Sequence, residues 1–180
     1  MKKGTKSFKN NGIYIMQLLS LAILLAVFTP VITNAQSGVV DFSGTWALNA
    51  EKSALGDNPG GQRMFGGDFV VTQEANLLTV VRTRTNQNGE SVTTTMKYTL
   101  DGKESVNTSP RGDSKSIAKW SADGKSLTIE TSRTFDMNGQ SITMKSTEAW
   151  SLTDAKTISV AYTFQGRDGE IKATVVCDKQ

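Results

Sequence analysis

The sequence predicts an all-β fold: an antiparallel up-and-down meander of eight to ten strands closing into a barrel or a strongly curved sheet. Three observations carry that prediction. After residue 35 almost nothing repeats with helical period, and period-two alternation recurs in its place. Asn-Gly and Asp-Gly pairs punctuate the alternating runs at 88–89, 101–102, 123–124, 138–139 and 168–169. Such pairs favour the left-handed turns whose twist suits antiparallel hairpins. Finally, the runs are short and evenly spaced, as in a meander that curls to hide its edges.

The elements follow in order. Strands are expected near 43–49, 68–75, 77–85, 91–100, 103–108, 114–122, 125–135, 140–152, 156–164 and 170–177. In SVTTTMKYTL, Val92, Thr94, Met96, Tyr98 and Leu100 share one face. In SLTIETSRTF that face carries Leu127, Ile129, Thr131, Arg133 and Phe135, and in TISVAYTF it carries Ile158, Val160, Tyr162 and Phe164. One apolar face and one Thr-rich face per strand is the pattern of a sheet buried on one side. The stretch 50–67, AEKSALGDNPGGQRMFGG, is too long for a hairpin turn.

Two segments are near copies: WSADGKSLTIE at 120–130 and WSLTDAKTISV at 150–160. Both are expected to be hairpins. A two-residue turn at Asp123-Gly124 sets Trp120 opposite Leu127. A three-residue turn at Thr153-Asp154-Ala155 accommodates the extra residue of the second copy and sets Trp150 opposite Ile158. Parity must survive in both, because a one-residue slip sends every apolar side chain to solvent. Duplication and convergence on good hairpin chemistry explain the likeness equally well.

Residues 1–35 stand apart. Lys2, Lys3, Lys6 and Lys9 precede an apolar run from Ile13 to Phe28, and Thr33-Asn34-Ala35 offers small residues before Gln36. This is the layout of a cleaved secretory signal peptide, and the run is short of the about 20 residues that span a bilayer. The expected organisation is therefore a signal peptide, 1–35, and one domain, 36–180, exported to the periplasm or the medium, with no membrane association after cleavage and no partner subunit. Four of the chain's 20 basic residues and none of its 17 acidic ones lie in that leader, so the domain carries 16 against 17. A near-neutral domain gives no electrostatic footprint for nucleic acid. Cys177, the single cysteine, alternates with Ile171, Ala173 and Val175 and is expected to be a buried thiol.

The opening of the domain, DFSGTWALNAEKS, resembles that of lipocalin-like exported bacterial proteins, with Gly44-Thr45-Trp46 in the place of their Gly-x-Trp. The resemblance implies an up-and-down barrel around a cavity for small apolar molecules, with Trp46 closing the floor. It departs from the family in lacking a Thr-Asp-Tyr-like turn motif. The family's late helix is missing from the pattern too, and where an Arg should cross the first-strand Trp only Arg167, in a turn, is at hand.

The absence of histidine removes Ser-His and Cys-His catalysis and most zinc sites. No enzyme activity, cofactor or metal is expected. Gly124-Lys125-Ser126 lacks the first glycine of a phosphate loop, since Lys119 stands there, and Arg111-Gly112-Asp113 reads as a turn. The candidate ligand-binding residues are the inward aromatics and methionines Trp46, Met96, Tyr98, Trp120, Met144, Trp150 and Tyr162, with Arg133, and with Met64 and Phe65 as a lid between glycine pairs. Arg133 and Glu148 share apolar faces, so each belongs either to a rim or to a polar cavity. They are expected at opposite ends of the β-hairpin that carries both. The expected function is binding of a small, largely apolar ligand; the alternative is an interaction module with a filled core. N-terminal sequencing of the exported protein should find Gln36 first, and an intact Met1 in the membrane fraction would contradict the leader.

Overall fold

The structure, a computed structural model, describes residues 38–55, 67–85, 88–109, 112–137, 139–166 and 169–180, all within the compact unit Gln36–Gln180. The leader, Met64 and Phe65 lie outside the described residues. Ten strands form one antiparallel sheet. They are β1 (Gly44–Leu48), β2 (Phe69–Glu74), β3 (Leu77–Thr85), β4 (Ser91–Thr99), β5 (Glu104–Asn107), β6 (Ser114–Trp120), β7 (Ser126–Met137), β8 (Gln140–Asp154), β9 (Thr157–Gly166) and β10 (Gly169–Lys179). None of the described residues is helical.

The sheet order is β4-β3-β2-β1-β10-β9-β8-β7-β6-β5, so the first strand pairs with the last and the meander closes on itself. One seam interrupts the ladder, between β4 and the four-residue β5. Side chains stitch it. The Asn107 amide accepts from Lys97 N at 2.7 Å and donates to Lys97 O at 2.9 Å, as a facing peptide would, and Ser105 Oγ accepts from Thr99 N at 2.8 Å. The edge groups of β4 at Lys97 and Thr99 are thereby engaged in a barrel that is nearly closed.

One end is plugged. The strap 38–43 runs across it from the β6–β7 turn to β2: Val40 N donates to Gly124 O, Phe42 N to Gln73 Oε1, and Gln73 Nε2 to Val40 O. Gly124 has φ +69°, and a Cβ there would press on Val39 at 3.3 Å, so the turn needs glycine on both counts. Phe42 is driven fully inside, stacked on Trp120 at 5.7 Å and edge-on to Trp150 at 5.8 Å. With Trp46, Phe69, Leu78, Leu127 and Ile158 these rings fill the lower barrel. Cys177 belongs to this cluster, and burial pushes its thiol up to about 11.

The hairpins keep the predicted faces but not the predicted turns. Trp120 lies opposite Leu127 as expected, yet the connection is a four-residue loop. Its ladder ends at Ser121–Ser126, and Asp123 Oδ1 holds Lys125 N and the Ser121 hydroxyl. In the second copy Ala155-Lys156 makes the turn and the extra residue is absorbed as a bulge between Leu152 and Asp154. Trp150 therefore meets Val160 rather than Ile158, which has the same parity. Along β7–β8 Arg133 faces Met144 and Glu148 faces Ile129, two residues from the register expected, so all side chains keep their side.

Burial ranks the two repeated tryptophans. Trp150 is fully buried, whereas Trp120 is half-buried at the barrel's end. Trp150→Ala should cost about 3–5 kcal/mol and Trp120→Ala distinctly less. Denaturant midpoints check this; equal losses, or a Trp150 loss under about 1 kcal/mol, would contradict the assigned packing.

Candidate functional site

Around the ring, β3 and β8 are five strands apart in a ten-strand barrel, directly across from each other. Arg82 on β3 follows Leu78 and Val80 on the inward face, and Glu148 on β8 precedes Trp150 on its own inward face. Both are long enough to reach the middle, where Arg82 Nη2 meets Glu148 Oε2 at 3.1 Å. The same carboxylate oxygen accepts the Trp150 indole N–H at 2.9 Å. The guanidinium lies over Phe69, Trp150 and Tyr162, with its carbon 5.0, 5.7 and 5.8 Å from the ring centroids. Burial works against this charge, but Tyr162 and Glu148 outweigh it, and Arg82 holds its proton more tightly than a free arginine. Burial first, and then the Glu148 charge, raise Tyr98 and Tyr162 well above the usual phenol range, so both rings stay neutral.

This pair divides the barrel. Below it the large side chains are fully buried. The pair itself is not sealed, at 13% and 16% side-chain exposure. Above it the inward positions on β7–β10 are partly exposed: Thr131, Ser146, Phe164 and Ile171 on one rung, Arg133 and Met144 on the next, then Phe135 and Ile142. Ser114 and Ser116, against β5, are the buried exceptions. Arg84 continues the inward face of β3 toward the same end and is exposed. The result is a cup whose floor is Arg82, Glu148 and Tyr162. A separate cavity of about 270 Å³, lined by Val39, Asp41, Gln73, Glu74 and Leu100 among others, lies beside the strap at the opposite end and shares no residue with the cup.

The residues singled out from sequence fall in three places. Tyr162 is at the base of the cup, and Arg133 and Met144 are in its wall, cross-strand neighbours on β7 and β8. Trp150 lies just beneath, joined to the base by its indole bond. Trp46, Tyr98 and Trp120 are in the packed lower half, and Met96 is half-buried opposite Val80, next to the seam. Trp46 is capped by a cation as the lipocalin resemblance implies, but the cation is Lys179 at the end of β10, with Nζ 5.3 Å from the ring. Glu148 belongs to a polar interior rather than to a rim. Sequence reasoning passed over its partner, although LLTVVRTRT places Arg82 and Arg84 in phase with Leu78 and Val80.

No family model and no curated protein matches this sequence. Among solved structures, the crystal structure of zebrafish ileal bile acid-binding protein complexed with cholic acid is similar, with a TM-score of 0.50 at 16% identity over 77% of this chain and 98% of that one. The likeness is one of fold, an antiparallel meander of ten strands forming a nearly closed β-barrel.

Removing one partner of the central pair leaves the other charge stranded, whereas removing both leaves apolar neighbours to close in. Glu148→Leu should therefore cost about 3–5 kcal/mol, and Arg82→Met combined with it should recover most of that loss. A double-mutant cycle by urea unfolding measures the coupling; additive losses would show that the pair does not brace the barrel.

Proposed function

We propose that this is an exported, non-catalytic carrier that binds a small, largely apolar ligand in the cup above Arg82 and Glu148. The observation that supports it most is the change in packing at that level. Below the pair, aromatic rings fill the barrel. Above it, Met144, Phe164, Ile171, Phe135 and Ile142 present apolar surface that no described residue covers completely. An apolar recess with a few polar groups at its base is the usual form of a small-molecule site. The fold is shared with a protein crystallised with cholic acid, which is compatible with the reading. Glu148, the interior carboxylate among the described residues, is engaged by Arg82 and Trp150.

The filled lower half favours a second reading, a barrel that is packed through and acts by its outer surface. Ligand occupancy separates the two. The neutral probe N-phenyl-1-naphthylamine should bind one to one and quench Trp150, whose ring lies directly under the cup. Native mass spectrometry of protein isolated from its own cells should show a bound small molecule. If neither this probe nor others of varied chemistry bind, and the isolated protein is bare, the packed-through module is the correct description.

A further inference from the structure

The reading of the cup as a ligand site leaves its charge unexplained. Three arginines share its inward face: Arg82 and Arg84 on β3, and Arg133 on β7. One carboxylate, Glu148, stands against them. Its Oε2 takes both Arg82 and the Trp150 indole, so its bonding is directed to the base. Among the described residues, Arg84 and Arg133 have no carboxylate within ion-pair distance, although five other such pairs form in the protein, four of them on its surface. Acids are not scarce nearby, but Glu130, Asp136 and Glu170 point outward by strand parity and are exposed. Among the described residues, Arg84 and Arg133 are thus two cations on the inward face with no ion-paired carboxylate, and Glu90, just before β4, is the described acid at the same end of the β3–β4 pair.

The placement is specific. β3 and β7 are four strands apart across the seam, so the two guanidinia project from facing walls. Arg133 is two rungs above Glu148, beside Met144, and Arg84 is one inward position above Arg82. One rung below Arg133, on β9 and β10, lie Phe164 and Ile171.

Resting on the carrier reading, we propose that the ligand is an amphipathic anion whose acidic group is clamped between Arg84 and Arg133 near the mouth, with its apolar body against Phe164, Ile171 and Met144. Arg82 is not the anion's partner, because Glu148 already occupies it. A planar guanidinium on either side suits a carboxylate or sulfonate, whose oxygens accept paired N–H donors.

The test compares two probes with one apolar body: 1-anilinonaphthalene-8-sulfonate, which is anionic, and N-phenyl-1-naphthylamine, which is neutral. The anion should bind roughly tenfold or more tightly, as expected for one charge-assisted contact. Added salt should narrow that gap. Arg84→Gln and Arg133→Gln should each weaken the sulfonate by several-fold and leave the neutral probe unchanged, while Arg84→Lys and Arg133→Lys should restore part of the difference. Circular dichroism confirms folding, and the salt dependence of the unaltered protein supplies the same information if a variant does not fold. Equal affinity for the two probes, or equal losses for both in the Gln variants, would overturn the anion site while leaving the carrier reading standing. Failure of both probes to bind would overturn the two together.

Discussion

Among the described residues, a single ion pair, Arg82–Glu148, spans this barrel. Ten strands enclose more room than the about eight whose side chains just fill an interior, and a chain of this size must either fill the difference or leave it open. Arg82 and Glu148 meet across the full width, each supplied by the inward parity of its own strand. Charges in such a place survive only when paired and surrounded by groups that satisfy them. The indole of Trp150 takes up part of the carboxylate, and three aromatic faces take up the guanidinium. Everything beneath can then pack dry, and everything above is free to remain open.

The same division appears at the two ends. The lower end is closed by the strap, with Phe42 pressed between Trp120 and Trp150 and Lys179 lying over Trp46. The other end carries the longest strands, β7 and β8, whose rungs continue past the end of β9 and β10 to Phe135–Ile142 and Met137–Gln140. Full burial is therefore concentrated on one side and partly exposed apolar surface on the other. The side-chain stitching of β4 to β5 lets the sheet close without a complete ladder between its two edges.

Most of the fold was legible because a strand advertises its face every second residue. Parity survived even where turn lengths did not: the four-residue loop after Trp120 and the bulge at Thr153 both preserve which side chains point inward. The cup was less legible. Trp46, Trp120 and Tyr98 read as pocket residues because parity says inward but not how high, and height decides whether an inward ring meets a ligand or another ring. Arg82 was overlooked because an arginine in a Thr-rich strand looks like a surface residue until its partner across the barrel is known. That partner is 66 residues away in sequence, a separation that local pattern cannot bridge. Lys179 escaped for the same reason, since the contact over Trp46 requires the first and last strands to pair.

The three tryptophan indole N–H resonances report on the division most directly. They lie at different depths: Trp150 bonded to Glu148 at the base of the cup, Trp46 bonded to the Phe42 carbonyl in the floor, and Trp120 stacked on Phe42 at the closed end. A nuclear magnetic resonance titration with a naphthyl probe should shift the Trp150 signal, together with the methyls of Met144 and Ile171, and leave Trp46 and Trp120 in place. Shifts of Trp46 and Trp120 comparable to that of Trp150 would mean that the probe passes the Arg82–Glu148 pair, and that the pair does not divide the barrel.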